Sequence, residues 1–276
     1  MTSPLPPPPS FLAKKKHILS HLALPASQYD DLSPKGSIDE GIRDLIAEIN
    51  GIPGCVTTSS CAGRVSVFLE GRKDLSSLSA VGEKNGNGSG SEGEGNDDDG
   101  GERGTKAGVG GKGGGGRWLF VSHDPVSVET GLDLAGYLGM ERRGGKEDEL
   151  GMGMGKEARE VRFVHFKFEP MILHILTSSP QQAQTVLSAA LQAGFRESGA
   201  LNLVGAGAGV GASEQATPMV GIRSMGLALE SIVGYEEGGS GVCMIPEGQL
   251  GLLLRVGNER FVENGRRIAR FRGLLR

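Results

Sequence analysis

The stretch Cys55-Val56-Thr57-Thr58-Ser59-Ser60-Cys61-Ala62-Gly63-Arg64-Val65-Ser66-Val67-Phe68-Leu69-Glu70 decides how this chain is read. Cys55–Thr58 is short and strand-like. Val65, Val67 and Leu69 then alternate with Ser66, Phe68 and Glu70, the period of a strand with one buried face, so 64–70 forms a second strand. Ser59–Gly63 reads as the tight link between the two. A link that only reverses the chain uses Asn-Gly or Asp-Gly. Thr57–Arg64 instead carries four consecutive hydroxyls, a thiol, a glycine and an arginine. Such donors suit a carboxylate or phosphate, with Arg64 as a bidentate fork. A hydroxyl-rich structural hairpin is the plain alternative.

Helical patterns precede this stretch. Residues 1–10 are proline-rich and are expected to be disordered. Residues 11–24 read as an amphipathic helix, with Phe11, Ile18 and Leu22 on one face and Lys14, Lys15 and Lys16 toward solvent or a partner. After the turn Ser33-Pro34-Lys35-Gly36, Ser37 and Glu40 have capping-box spacing. Ile38, Ile42, Leu45, Ile46 and Ile49 then repeat as on a helix.

Strands and helices alternate downstream. Trp118–Val121 is a strand, and Asp124-Pro125 caps a helix through Leu132, Tyr137 and Leu138. Val161–Phe168 and Met171–Thr177 are two strands split by Glu169-Pro170. Ser179, Pro180 and Gln182 start a helix that Gly194 ends. Phe195–Val204, Met219–Ser224 and Val242–Ile245 are strands, and 247–275 is one long helix. The expected fold is α/β or α+β: one domain over 11–275, with a mixed sheet flanked by helices.

Of the 276 residues, 47 are glycine, without a G-X-Y period. They gather at 82–116, 139–158 and 205–217, which read as disordered or flexible insertions because they hold too few large apolar residues to offset chain entropy. Residues 83–106 hold seven acids against three bases, which accounts for the whole formal net charge of −4. The remainder is neutral, so an anionic partner is not excluded. Cys55, Cys61 and Cys243 form no regular framework, which suits a reducing compartment and gives no thiolate metal site. No secretory pattern and no apolar run of about 18 residues is present, so a cytoplasmic location away from the membrane is expected.

Candidate chemistry gathers in few places. Leu201–Val204 followed by Gly205–Gly211 imitates a Rossmann strand and glycine loop, but a polar segment with Pro218 follows where a helix is needed, so this is not a standard Rossmann unit. Cys61 could act as a nucleophile with His123 or His165 as base, although packing is the commoner role for such a cysteine. His123 could be a general acid or base, and Asp124 a cap. His165 and His174 read as satisfied core histidines. Residues 255–276 carry seven arginines against two glutamates, with Phe261 and Phe271 interleaved, which is a footprint for nucleic acid or a solvated helix face.

Several segments together carry a resemblance. They are Ser33–Asp39, Thr57–Arg64, Trp118–His123, Phe166–His174, Ala193–Gly199, Ile222–Ser224, Asn258–Phe261, Asn264 and Arg266–Ile268. In this order they resemble the tRNA wybutosine-synthesizing protein 3 family. The resemblance implies an enzyme that methylates phenylalanine tRNA at position 37, beside the anticodon. The donor would be S-adenosyl-L-methionine and the acceptor the N4 ring nitrogen of 7-(3-amino-3-carboxypropyl)-4-demethylwyosine. With it go these expectations: Ser59, Ser60, Arg64 and Arg223 bind cofactor, and Asp39, His123 and Glu169 are candidates for the base. Lys35, Arg260, Arg266, Arg267 and Arg270 hold the anticodon stem-loop; no metal is implied, and a complex with other wybutosine-pathway enzymes is left open. The alternative is a non-catalytic RNA-binding module that presents tRNA to a partner enzyme.

Overall fold

The computed structural model describes residues 6–24, 40–71, 116–128, 131–142, 161–204 and 216–275. Its frame is one pair of long antiparallel strands. β1 (Cys55–Leu69) and β3 (Phe163–Thr177) are each 15 residues and pair along their whole length. The hairpin expected at Ser59–Gly63 is therefore absent: the segment stays extended within one strand. Likewise Glu169-Pro170 does not split β3. The two apparent breaks face each other, Gly63 opposite Pro170 and Arg64 opposite Glu169.

β2 (Arg117–Ser122) flanks β1. The other edge of β3 is shared. Its first half pairs with β6 (Leu229–Glu237) and its second half with β5 (Met219–Ile222), which carries the short β4 (Gly199–Leu201). β7 (Ser240–Cys243) closes a hairpin onto β6. Every ladder in this seven-stranded sheet is antiparallel, so the fold is α+β, and the mixture expected of it is confined to a parallel bridge between Glu141 and Val242.

Burial changes phase along β3. Val164, Phe166 and Phe168 are buried, then Met171, Leu173 and Ile175. The switch falls at Glu169-Pro170, opposite Gly63 at φ +117°. It divides the core in two. The first half-sheet packs with α3 (Leu134–Tyr137) and the start of α5 (Glu247–Leu274) through Leu134, Leu138, Leu250 and Leu254. The second packs with α2 (Arg43–Gly51), α4 (Pro180–Ala193) and the end of α5 through Ile46, Ile49, Val186, Ala190 and Phe271.

Asn264, at the middle of α5, sits at the break. Its Nδ2 donates to the Ala62 carbonyl at 2.7 Å, and its Oδ1 accepts from the Met171 amide at 2.9 Å. Proline has no N–H to give the ladder here, so the amide supplies bonds that the strands cannot make with each other. A Cβ at Gly63 would meet Asn264 Nδ2 at 3.0 Å, and φ is left-handed there, so glycine is required.

Several expected boundaries move. Ser179 does cap α4, accepting from the Gln182 amide, with Pro180 at its first position and Gly194 left-handed at its end. α5 is continuous over 28 residues. In contrast, Asp124 caps no helix. Asn258 takes both backbone groups of Val126, which holds 123–128 non-helical, and the helix starts only at Asp133, whose side chain accepts from Gly136. β6 was not anticipated; its hairpin turn uses Gly238 and Gly239, both at positive φ. Gly139–Arg142 was assigned to the second insertion, yet Met140 is buried and Glu141 bridges to Val242. Residues 1–5, nearly all the rest of the insertions and the Ser37 half of the capping box lie outside the described residues, whereas Pro9 and Ser10, expected to be disordered, already belong to the first helix. Glu40 instead opens a 3-10 turn ending at Ile42.

Replacing Asn264 with leucine keeps the volume and removes both bonds. The Ala62 carbonyl and Met171 amide then lose their side-chain partner in a dry site. The expected loss is about 3 kcal/mol, read from the urea midpoint. An unchanged midpoint would show that the break holds without the amide.

Candidate active site

Helices α2, α4 and α5 cover the side of the long strand pair that carries its buried residues. The opposite side is open around Gly63, and there the strands display polar groups. Arg64 and Glu169 are cross-strand partners and share a face. Arg64 Nε donates to Glu169 Oε2 at 2.6 Å, and its guanidinium lies 4.9 Å from the centre of the Trp118 ring. Trp118 in turn stacks on Phe68 at 4.8 Å. The carboxylate and the indole fix a guanidinium that is still 21% exposed, ready for an anion. This exposed pair contributes no more than about 1 kcal/mol to stability, so aiming Arg64 is its main effect. Two predicted site residues thus meet, and Glu169 is engaged as the orienting partner.

His123 follows β2 and reaches the same centre. Its Nδ1 lies 3.1 Å from the Gly63 carbonyl and 3.9 Å from Cys61 Sγ. A carbonyl only accepts, so Nδ1 carries the hydrogen and Nε2 is the basic nitrogen of the neutral ring. The nitrogen facing the thiol therefore cannot take its proton, which speaks against Cys61 as a nucleophile activated by His123.

Two residues further along β1, Ser59 Oγ is 2.8 Å from His174 Nδ1. His174 is not a core residue, as the sequence suggested. It stands opposite Gly221, which stands opposite Gly199 on β4. A Cβ at Gly221 would touch the imidazole at 3.4 Å, and one at Gly199 would meet nothing within 4 Å. The two glycines leave bare backbone beside the ring, a floor on which a flat molecule can lie. Arg223, at the end of β5, is exposed, and its Nε donates to the Glu197 carbonyl. Burial first, and the charge of Arg223 second, hold His174 below its ordinary pKa of 6.5.

Ser60 is separated from Ser59. It faces Leu173 on the helix side of β1. On that side Gly41 abuts Ala62, and a cleft of about 760 Å³ runs between residues 40–45 and Gly265–Gly273 of α5. Asp39 and Lys35 lie outside the described residues. His165 also leaves the expected core. It sits between Glu70 at 3.3 Å and Glu230 at 3.0 Å, and Glu230 also pairs with Lys167.

The arginines of α5 are largely committed. Arg267 donates to the Gly194 carbonyl and to Ser224 Oγ, both at 2.8 Å. Arg270 donates to the Ala193 carbonyl and to Glu263. Both neutralise the C-terminal end of α4, where cations are favourable. Arg272 pairs with Glu48, and Arg260 donates to the Gly226 carbonyl. Arg266 remains 69% exposed, 3.9 Å from Glu263. Among the described residues no cluster could hold a metal ion, and no helix is long and apolar enough to cross a membrane.

The lowered pKa of His174 has a sign. The unfolded imidazole protonates near 6.5, the folded one only at lower pH. Its contribution to stability is full above 6.5 and is lost as pH falls through the folded value. The urea midpoint should fall from about pH 7 to about pH 5, and His174→Gln should flatten that fall. An equal slope in both proteins would contradict the assignment.

With this geometry in place, the chain can be set beside known proteins. A solved structure of the PH1069 protein from Pyrococcus horikoshii superposes with a TM-score of 0.57 over 96% of each chain, at 20% identity, and so shares the fold. The tRNA wybutosine-synthesizing protein 3 of Saccharomyces cerevisiae is 36% identical over 196 residues, 69% of this chain and 58% of that one. The Schizosaccharomyces pombe protein of the same name is 33% identical over 190 residues, 69% of this chain and 59% of that one. The chain thus spans less than two thirds of the length of these relatives. The family model described as Methyltransferase TYW3 matches residues 13–276. The chain belongs to the Methyltransferase TYW3 family.

Proposed function

We propose that the chain is an S-adenosyl-L-methionine-dependent tRNA N-methyltransferase. It places the methyl group on N4 of 7-(3-amino-3-carboxypropyl)-4-demethylwyosine at position 37 of phenylalanine tRNA, within wybutosine biosynthesis. The observation that carries this is the open strand surface itself. A guanidinium aimed by Glu169 and Trp118, a histidine with a defined basic nitrogen, and a glycine floor beside Ser59, His174 and Arg223 lie on the β1–β3 pair and on the strands that flank it.

These residues fit the reactants. The cofactor supplies an electrophilic methyl on a sulfonium, and it brings a carboxylate and a flat heteroaromatic ring. Ser59 and Arg223 would hold the carboxylate, and the bare backbone at Gly199 and Gly221 admits the ring. Arg64 would take the carboxylate of the base's aminocarboxypropyl side chain, or the adjacent phosphate, as a planar fork. His123 would receive the N4 proton on Nε2 as the nitrogen becomes nucleophilic. Positioning of two bound reactants supplies the remainder of the rate. Ser60, on the helix side of β1, takes no part in this site, and Asp39, a base candidate from the resemblance, lies outside the described residues. Arg260, Arg266 and Arg270 remain proposed RNA contacts, whereas Arg267 is given a structural role. The protein acts in the cytoplasm.

Equilibrium dialysis should show saturable binding of labelled S-adenosyl-L-methionine. No binding, with or without tRNA, would leave the presenting-module reading in its place. Arg64→Ala should abolish methylation and leave the urea midpoint within about 1 kcal/mol of the parent. His123→Ala should lower kcat by roughly 10²–10⁴ with cofactor binding intact. Normal turnover in either variant removes that residue from the site.

A further inference from the structure

We propose that the exposed face of α1 (Pro9–Leu22) is the platform for the tRNA backbone, gripping phosphates next to the nucleotide on the open strand surface. The sequence of α1 holds Lys14, Lys15, Lys16, His17 and His21 and no acid. It is fixed by two contacts. Phe11 is fully buried against Val56 and Leu176, with Ile18, Leu19 and Met219 around it. Lys15 turns inward and donates to the carbonyls of Ile52 at 2.6 Å and Cys55 at 2.8 Å, beyond the end of α2. Burial lowers the pKa of Lys15, as expected of a lysine used for structure.

With Lys15 inward, Lys14 and Lys16 stand exposed, and among the described residues neither has a partner. Their place is what matters. Leu176 lies two residues beyond His174 on β3, and alternate strand residues share a face. Leu176 pairs with Val56 on β1. α1 therefore lies on the same side of the sheet as His174 and Ser59, about 7 Å along the strand from the imidazole. The other long helices pack on the opposite side. The α5 arginines that could compete are largely bonded to carbonyls and carboxylates of the chain itself. Exposed lysines on a helix beside the proposed reacting base suit phosphates, which need charge rather than a shaped pocket.

The proposal rests on a tRNA substrate, so the test keeps the two readings apart. Lys14→Gln/Lys16→Gln is made in the full chain, and binding to unmodified tRNA transcript is followed against salt. Affinity should drop roughly ten-fold at 0.1 M salt, and the slope of log K on log salt should shrink by about 1.5. Binding of S-adenosyl-L-methionine and the urea midpoint should not move. An unchanged slope overturns the α1 assignment alone. So does loss of binding to phosphatidylserine vesicles with tRNA binding intact, which would give the helix to a membrane surface. A parent chain that binds no tRNA overturns this proposal and the tRNA reading together.

Discussion

One buried amide holds the architecture at its weakest point. Where Gly63 faces Pro170, the longest ladder of the sheet has a residue with no N–H and another in a left-handed conformation. Asn264 bridges the two strands there, taking the Ala62 carbonyl and the Met171 amide on one side chain. The carboxamide offers a donor and an acceptor side by side on one uncharged planar group. Because the amide comes from the centre of α5, the same bond pins the helix across both half-cores. The phase change in burial, the division between β5 and β6, and the exposure of Arg64 and Cys61 all occur around this point. A regular ladder would have run through it and left no polar surface of this shape.

That arrangement explains which parts of the sequence could be read. Capping and termination are local, so Ser179, Pro180 and Gly194 were legible from the residues alone. The alternation at 64–70 and the length of α5 were legible for the same reason. Glu169-Pro170 and Ser59–Gly63 looked like chain reversals because proline and glycine do end strands in isolation. Each is tolerated in mid-strand only because the other stands opposite and Asn264 completes the bonding, a non-local fact. The Asp124 cap failed similarly: Asn258, more than a hundred residues away, had already claimed Val126.

The candidate site was half visible. Arg64, Ser59, His123 and Glu169 were marked by residue type or by their place at a strand end and stand on or beside the β1–β3 pair, whereas Arg223 came only with the family resemblance and follows β5. His174 was hidden because neighbouring apolar residues give the same pattern for a core and for an open sheet face. Trp118 was hidden because its partner, Arg64, depends on the register between β1 and β2. The count of arginines in α5 misled in another way. Charge tally is blind to partners: Arg267 and Arg270 terminate α4, and Arg272 ties α5 to α2.

The strand ends also say where this fold can grow. Leu69 pairs with Arg117 at the start of β2 and with Val164 near the start of β3. The chain thus leaves the sheet after Leu69 and re-enters it at Arg117 and again at Phe163 along one rim, five residues of β1 away from Arg64. Closing a longer loop costs only about 0.6 kcal/mol for each doubling of its length. That rim is where this fold can take up added length at little cost, because the strands pair on past it and hold the Arg64 face apart from the change.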